Sequence, residues 1–168
     1  LLFTSAHLVR FDTAVKVDRP GQPVNVPVIA SSASLDIAVA SATNLVAVDL
    51  TMAQNLAPES ESVIIAGFPD GGELEVTEGR IVGYGDAGQW GVPGEQVMLI
   101  DPGTRAGFSG GPVLNRDGEV VGMLAAVDVT TGLALAIPAD ELTAVVSLAL
   151  ATWPEAGGSV THVAAPCE

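Results

Sequence analysis

Short apolar runs closed off by glycine, proline or polar turn residues recur along this chain at 24–29, 35–40, 45–50, 62–67, 80–84, 96–100, 112–115, 119–127 and 133–137. Runs of this length suit strands, and turn signals between them at frequent intervals read as an all-β sandwich or barrel. The 19 glycines and 11 prolines supply those turns, and 168 residues suit a single domain with a real core. With 48% apolar but only 4% aromatic residues, that core must be built from Val, Leu, Ile and Ala. One helix is expected over Ala139 to Ala151, where Asp140 and Glu141 occupy a first turn and Leu142, Val145, Val146 and Ala149 recur at helical spacing.

One bend has chemistry in it. Gly107-Phe108-Ser109-Gly110-Gly111-Pro112 holds a serine between two strand-like segments. A serine hydroxyl attacks a carbonyl only when a base takes its proton and backbone N–H groups receive the charge that develops on oxygen. The glycines permit a path that a Cβ would obstruct, so the N–H groups of Gly107 and Ser109 could converge on one point. A plain hairpin turn accounts for the same residues on conformational grounds. The choice rests on whether a base and an orienting carboxylate exist elsewhere.

Both do. One of only two histidines lies in Thr4-Ser5-Ala6-His7-Leu8-Val9, and Asp36 heads the apolar strand of Ser34-Leu35-Asp36-Ile37-Ala38-Val39. A lone histidine is more often structural, and a carboxylate is needed to hold its tautomer and stabilise its cation. His162 carries no assigned role.

Thr-x-Ala-His-Leu-Val, Leu-Asp-Ile-Ala-Val and Gly-x-Ser-Gly-Gly-Pro, in that order, resemble the chymotrypsin-like serine proteases, and among them the bacterial HtrA-type branch. The order His, Asp, Ser separates this pattern from subtilisins and α/β-hydrolases. The resemblance implies an all-β double barrel with a C-terminal helix, a catalytic triad of His7, Asp36 and Ser109, and an oxyanion hole from Gly107 and Ser109. It implies a serine endopeptidase that acts on protein or peptide substrates without a cofactor. By the same resemblance Ala125, Ala126 and Val127 pair with the substrate main chain. The specificity pocket falls to Gly103, Arg105, Ala106, Ala125 to Val127 and the segment near Gly132 and Leu133. Gly103 stands six residues before the serine, where a trypsin carries its acid, so a small or medium apolar P1 residue is expected. Arg105 is either a solvated loop residue or a recruiter of an acidic side chain. Phe108 occupies the place of the aspartate that receives a new N-terminus in digestive zymogens, so packing, substrate or an effector must order the loop instead.

The resemblance also implies strands ahead of the histidine, whereas His7 lies close to the first residue of this sequence. The first barrel is therefore expected to be open, with the absent strands in a longer protein or supplied by another segment. The expected organisation is a partial N-terminal barrel over 1–70, a C-terminal barrel over 71–138, a helix over 139–151 and an extended tail over 152–168. The single cysteine, Cys167, is a free thiol, a bystander or half of a disulfide to a segment outside this sequence. Gly67-Phe68-Pro69-Asp70-Gly71-Gly72 followed by Val76-Thr77-Glu78-Gly79-Arg80-Ile81 resembles the membrane-anchored acid-resistance proteases of actinobacteria. That narrower resemblance implies a disulfide from the near-terminal cysteine, an extracytoplasmic location in the periplasm or envelope, and membrane contact only through segments absent here.

With 20 acidic and 6 basic side chains, the net charge of −14 opposes binding to nucleic acid or an anionic bilayer. Two histidines and one cysteine offer no metal-ligand spacing. No run reaches a membrane span, and no signal peptide is visible. No feature of the sequence sets an oligomeric state. Outside proteolysis, the fold also serves as a catalytically inactive peptide-binding module or an esterase scaffold, but three catalytic residue types in order favour the enzyme.

Overall fold

The computed structural model describes residues 1–9, 12–17, 22–41, 45, 49–152 and 161–162. In chain order the elements are β1 (Leu2–Ser5), α1 (Ala6–Val9), β2 (Ala14–Val17), β3 (Val24–Ser32), β4 (Ile37–Ala40), β5 (Ser62–Gly67), β6 (Glu75–Asp86), β7 (Gln96–Asp101), β8 (Pro112–Leu114), β9 (Val120–Val127), β10 (Ala134–Pro138), α2 (Ala139–Thr152) and β11 (Thr161–His162). They fall into two compact units, Leu1–Val48 with Ala144–Glu168, and Asp49–Thr143.

The first unit is an open five-stranded sheet in the order β1-β4-β3-β11, with β2 also paired to β3. Ile37, Ala38, Val39 and Ala40 of β4 are all buried, as expected of an inner strand covered on both faces. Ala6, Val9, Val28 and Ala38 form a small core with Val15 against it. The short β11 joins β3 in parallel, Thr161 opposite Ala30 and His162 opposite Ser31, so a C-terminal segment contributes to this sheet.

The second unit is a closed six-stranded barrel, β10-β7-β6-β5-β8-β9. Alternation drives it: in β5, Val63 and Ile65 point into the core while Ile64 stays exposed. Ile65, Ile81, Met98, Ile100, Val113 and Leu124 belong to one core cluster of aliphatic side chains, and Phe108 is the aromatic member of it. The Asp117-Gly118 hairpin between β8 and β9 closes as its chemistry predicts: Gly118 takes φ +79°, and Asn115 Oδ1 accepts from the N–H groups of Asp117 and Glu119 at 3.0 and 2.9 Å. Helix α2 is joined to this unit by Glu141, whose carboxylate accepts from the N–H groups of Gln96 and Glu95 at 2.8 and 3.3 Å.

The barrel boundary differs from the expected break at residue 70. Strand β5 pairs with β6 along Ser62 to Gly67 and with β8 at Ile64 and Ile65, so it is a stave of the second unit, which begins at Asp49. Sequence distance misleads here because barrel closure is decided by cross-strand pairing, not by the loop at 68–74. Half of the run at 45–50 lies outside the described residues, as do Cys167 and most of the expected tail.

Candidate active site

His7 lies in α1, directly after β1, and its backbone position is set by the turn that precedes β4. Asp36 ends that turn with φ +51°, a left-handed conformation that Asp tolerates better than most residues. From there its carboxylate makes two contacts with the same histidine: Oδ1 accepts from the His7 N–H at 2.8 Å, and Oδ2 accepts from Nδ1 at 2.7 Å. The Asp36 carbonyl also accepts from the Ala6 N–H at 3.0 Å. Asp36 is buried, while the His7 side chain is half exposed at 49%. An ionised carboxylate only accepts, so Nδ1 is the donor, and in the neutral imidazole Nε2 is then the nitrogen with the lone pair. The strained backbone at 36 therefore serves to hold an imidazole in one orientation and one tautomer.

In the barrel unit, Ser109 sits in the turn before β8. Gly107 and Gly110 flank it at φ +96° and +82°, values that a Cβ would disfavour. The turn is fixed by the Gly110 N–H donating to the Leu124 carbonyl at 2.7 Å and the Gly111 N–H donating to the Phe108 carbonyl at 2.9 Å. Among the described residues, no backbone carbonyl accepts from the N–H of Gly107 or of Ser109. Ser109 Oγ donates to the Ala125 carbonyl at 3.1 Å.

The expected pocket residues of the barrel unit fall on three segments. Gly103 passes so close to the chain at Gly132 that a Cβ there would stand 2.0 Å from the Gly132 carbonyl oxygen. Ala125 is buried at the end of β9, and Ala126 and Val127 are partly exposed. Strand β8 pairs with β9 only as far as Met123, so no strand among the described residues pairs with that side of Ala125–Val127. Leu133, partly exposed, starts the return into β10, and its carbonyl accepts from the Asp128 N–H at 2.9 Å. The Thr131 hydroxyl and the Thr130 N–H hold the Asp128 carboxyl below the usual carboxylate range and order that turn. Ala106 is exposed.

Arg105 is half exposed, and the acidic side chain it meets is one from this chain. Its Nη2 donates to Glu75 Oε1 at 2.5 Å, across a gap of thirty residues in sequence. No local signal could have exposed Glu75, because ion pairs between loops depend on the register of strands. A separate cavity of about 330 Å³ lies between the strap Thr51–Pro58 and Asn115, Glu119 and Val121, and none of the expected site residues lines it. Among the described residues no cluster of side chains could hold a metal ion.

The model of the trypsin-like peptidase domain matches residues 1–123. The chain belongs to this family. Within the trypsin-like peptidases it is similar to HhoB of Synechocystis, 35% identical over 144 residues, which cover 82% of this chain and 34% of HhoB. It is similar also to the serine protease Rv3671c of Mycobacterium tuberculosis, 28% identical over 76% of this chain and 34% of that protein. The chain thus spans about a third of the length of these relatives. The active-form crystal structure of Rv3671c superposes with a TM-score of 0.76 at 25% identity, covering 94% of this chain and 72% of that one. The HtrA-type protease AlgW with a decapeptide gives 0.75 at 23% identity, covering 89% and 48%, a likeness of fold. These trypsin-like neighbours carry the double-barrel fold class onto this chain, with its second barrel closed and its first sheet open.

Proposed function

We propose that the chain is a serine endopeptidase domain using Ser109 as nucleophile, His7 as general base and acid, Asp36 as orienting carboxylate, and the N–H groups of Gly107 and Ser109 as oxyanion donors. The observation that carries this reading is the bond from His7 Nδ1 to Asp36, because it frees Nε2 to accept a proton. Membership of the trypsin-like family supports it. Ser109 Oγ first leaves the Ala125 carbonyl by rotation about its Cα–Cβ bond. It then bonds to the scissile carbonyl carbon while its proton passes to His7. The C–N bond breaks as His7 protonates the leaving amine, and a water deprotonated by His7 cleaves the acyl-serine ester to give the acid and restore the hydroxyl.

The substrate chain would lie as an added strand along Ala125 to Val127, with its P1 side chain toward Gly103, Ala106 and Leu133. The pocket suits a small or medium apolar side chain, since Gly103 brings no acid. The Arg105 guanidinium is engaged by Glu75, which argues against an acidic P1. We place the enzyme outside the cytoplasm, tethered to the membrane through other segments, on the strength of its resemblance to the acid-resistance proteases. Among the described residues, no helix is long and apolar enough to cross a membrane. Net charge of −14 fits a partner that is peptide rather than nucleic acid.

A fluorophosphonate probe tests the reading. Labelling is expected on the full-length protein, absent from Ser109→Ala and slowed by roughly a thousandfold or more in His7→Ala. A wild-type protein that never labels would leave a peptide-binding module in its place. A peptide library should show cleavage after small apolar residues, and cleavage after Glu or Asp would return the specificity role to Arg105.

A further inference from the structure

The barrel hairpin formed by β5 and β6 touches the serine loop at one cross-strand pair. Gly67 and Glu75 stand directly opposite each other in the ladder. Phe108 lies on the first: it is 3% exposed, and a Cβ at Gly67 would come within 2.7 Å of its ring Cδ1 and 2.9 Å of Cγ. Arg105 lies on the second through its ion pair with Glu75. One residue back along β5, the Ala66 carbonyl oxygen would stand 2.1 Å from a Cβ at Gly111, so the far end of the turn is pressed against the same strand. On its other side the turn is bonded to β9 through Gly110 to Leu124 and Leu124 to Gly111, at 2.7 and 2.9 Å.

Phe108 Cα is joined directly to the peptide that carries the Ser109 N–H, and Gly107 alone separates it from the peptide that carries the Gly107 N–H. Its side chain belongs to the barrel core with Val63, Ile65 and Val113. A ring held in a close-packed core fixes its own Cα, and each neighbouring peptide then keeps little freedom. In digestive zymogens a carboxylate at this place needs a new N-terminus to order the loop; here the ordering group is apolar and already buried. We infer that Phe108, seated on Gly67, and the Glu75–Arg105 pair position the oxyanion loop from the β5–β6 hairpin, so that Gly67, Glu75 and Phe108 are positioning residues for Ser109. The inference rests on the endopeptidase reading for its consequence, not for its geometry.

Two readouts separate geometry from consequence, both made on the full-length protein below its unfolding transition. The first is amide exchange of the 103–111 peptide. Phe108→Ala should raise it by roughly tenfold or more while the peptides of β7 and β10 keep their protection, because only the loop has lost its anchor. The second is the rate constant for fluorophosphonate labelling, expected to fall about 10- to 100-fold in Phe108→Ala, since small misplacement of oxyanion donors is costly. Phe108→Leu should recover most of both. Gly67→Ala displaces the ring without emptying the core and should act like Phe108→Ala if that variant folds poorly. Glu75→Gln should slow labelling about two- to fivefold at low salt and not at high salt. A folded Phe108→Ala protein with wild-type exchange, or one with faster exchange and wild-type labelling, overturns the inference. If the wild type does not label at all, the endopeptidase reading fails, and exchange alone still decides whether Phe108 anchors the loop.

Discussion

At the residue scale, the tyrosine at 84 reports on the barrel as cleanly as any probe could, because it is the only one in the chain. Its hydroxyl donates to the Ala57 carbonyl at 2.5 Å. Burial, followed by the charges of Glu61, Asp140 and Glu59, pushes its pKa up to about 12. The folded state thus holds the proton more tightly than the unfolded state. The stability this contributes is complete below pH 10, the ordinary value, and is lost as pH rises through about 12. Phenolate absorbance should therefore appear near pH 12 in the folded protein and near pH 10 in denaturant, and coincident titrations would show that the hydroxyl is not buried. The histidine, aspartate and serine of the proposed site were legible as residues in their motifs. What no motif shows is the left-handed backbone of Asp36 or the partner of Arg105, since both are set by how the chain turns between strands.

At the scale of elements, legibility follows burial. Strands β5, β7, β9 and β10 announce themselves by apolar alternation or by continuous apolar runs. Strand β6 is more than twice as long as the run at 80–84 suggested, because its first half, Glu75 to Arg80, is largely exposed and carries charge instead of an apolar face. Strands β1 and β2 escape for their shortness, four residues each. The helix was visible from its acidic first turn, but not the use made of one of those acids. Glu141 bridges α2 to the start of β7, and burial raises its carboxyl above the ordinary 4.5, against the lowering effect of the Gln96 and Glu95 N–H groups. A raised folded value means stability complete below about pH 4.5, the ordinary value, and lost as pH rises through the raised value of the folded state. Denaturant midpoints of the wild type and Glu141→Gln should then differ more in favour of the wild type near ~pH 4 than near ~pH 7. A difference that does not change with pH would refute this account. Glu141→Ala removes the acceptor of two N–H groups that are not fully buried, and should cost roughly 0.5–1.5 kcal/mol near ~pH 7 and more near ~pH 4.

For the molecule as a whole, the two units differ in what protects them. The barrel closes on itself around a large aliphatic core, while the sheet of β1 to β4 is open and has a small one. Native-state hydrogen exchange should accordingly be slower for β5 to β10 than for β1 to β4, as local opening tracks buried contacts and unpaired edges. Equal protection in both would contradict this. The early end of β8 has a different kind of consequence. It leaves Ala125 to Val127 with main-chain groups to offer and little side-chain bulk, so an inhibitor for this protein should be recognised chiefly by its backbone. Methylating single amide nitrogens along a bound peptide would then abolish binding at alternate positions and spare the ones between, a footprint of period two written in the ligand instead of the protein.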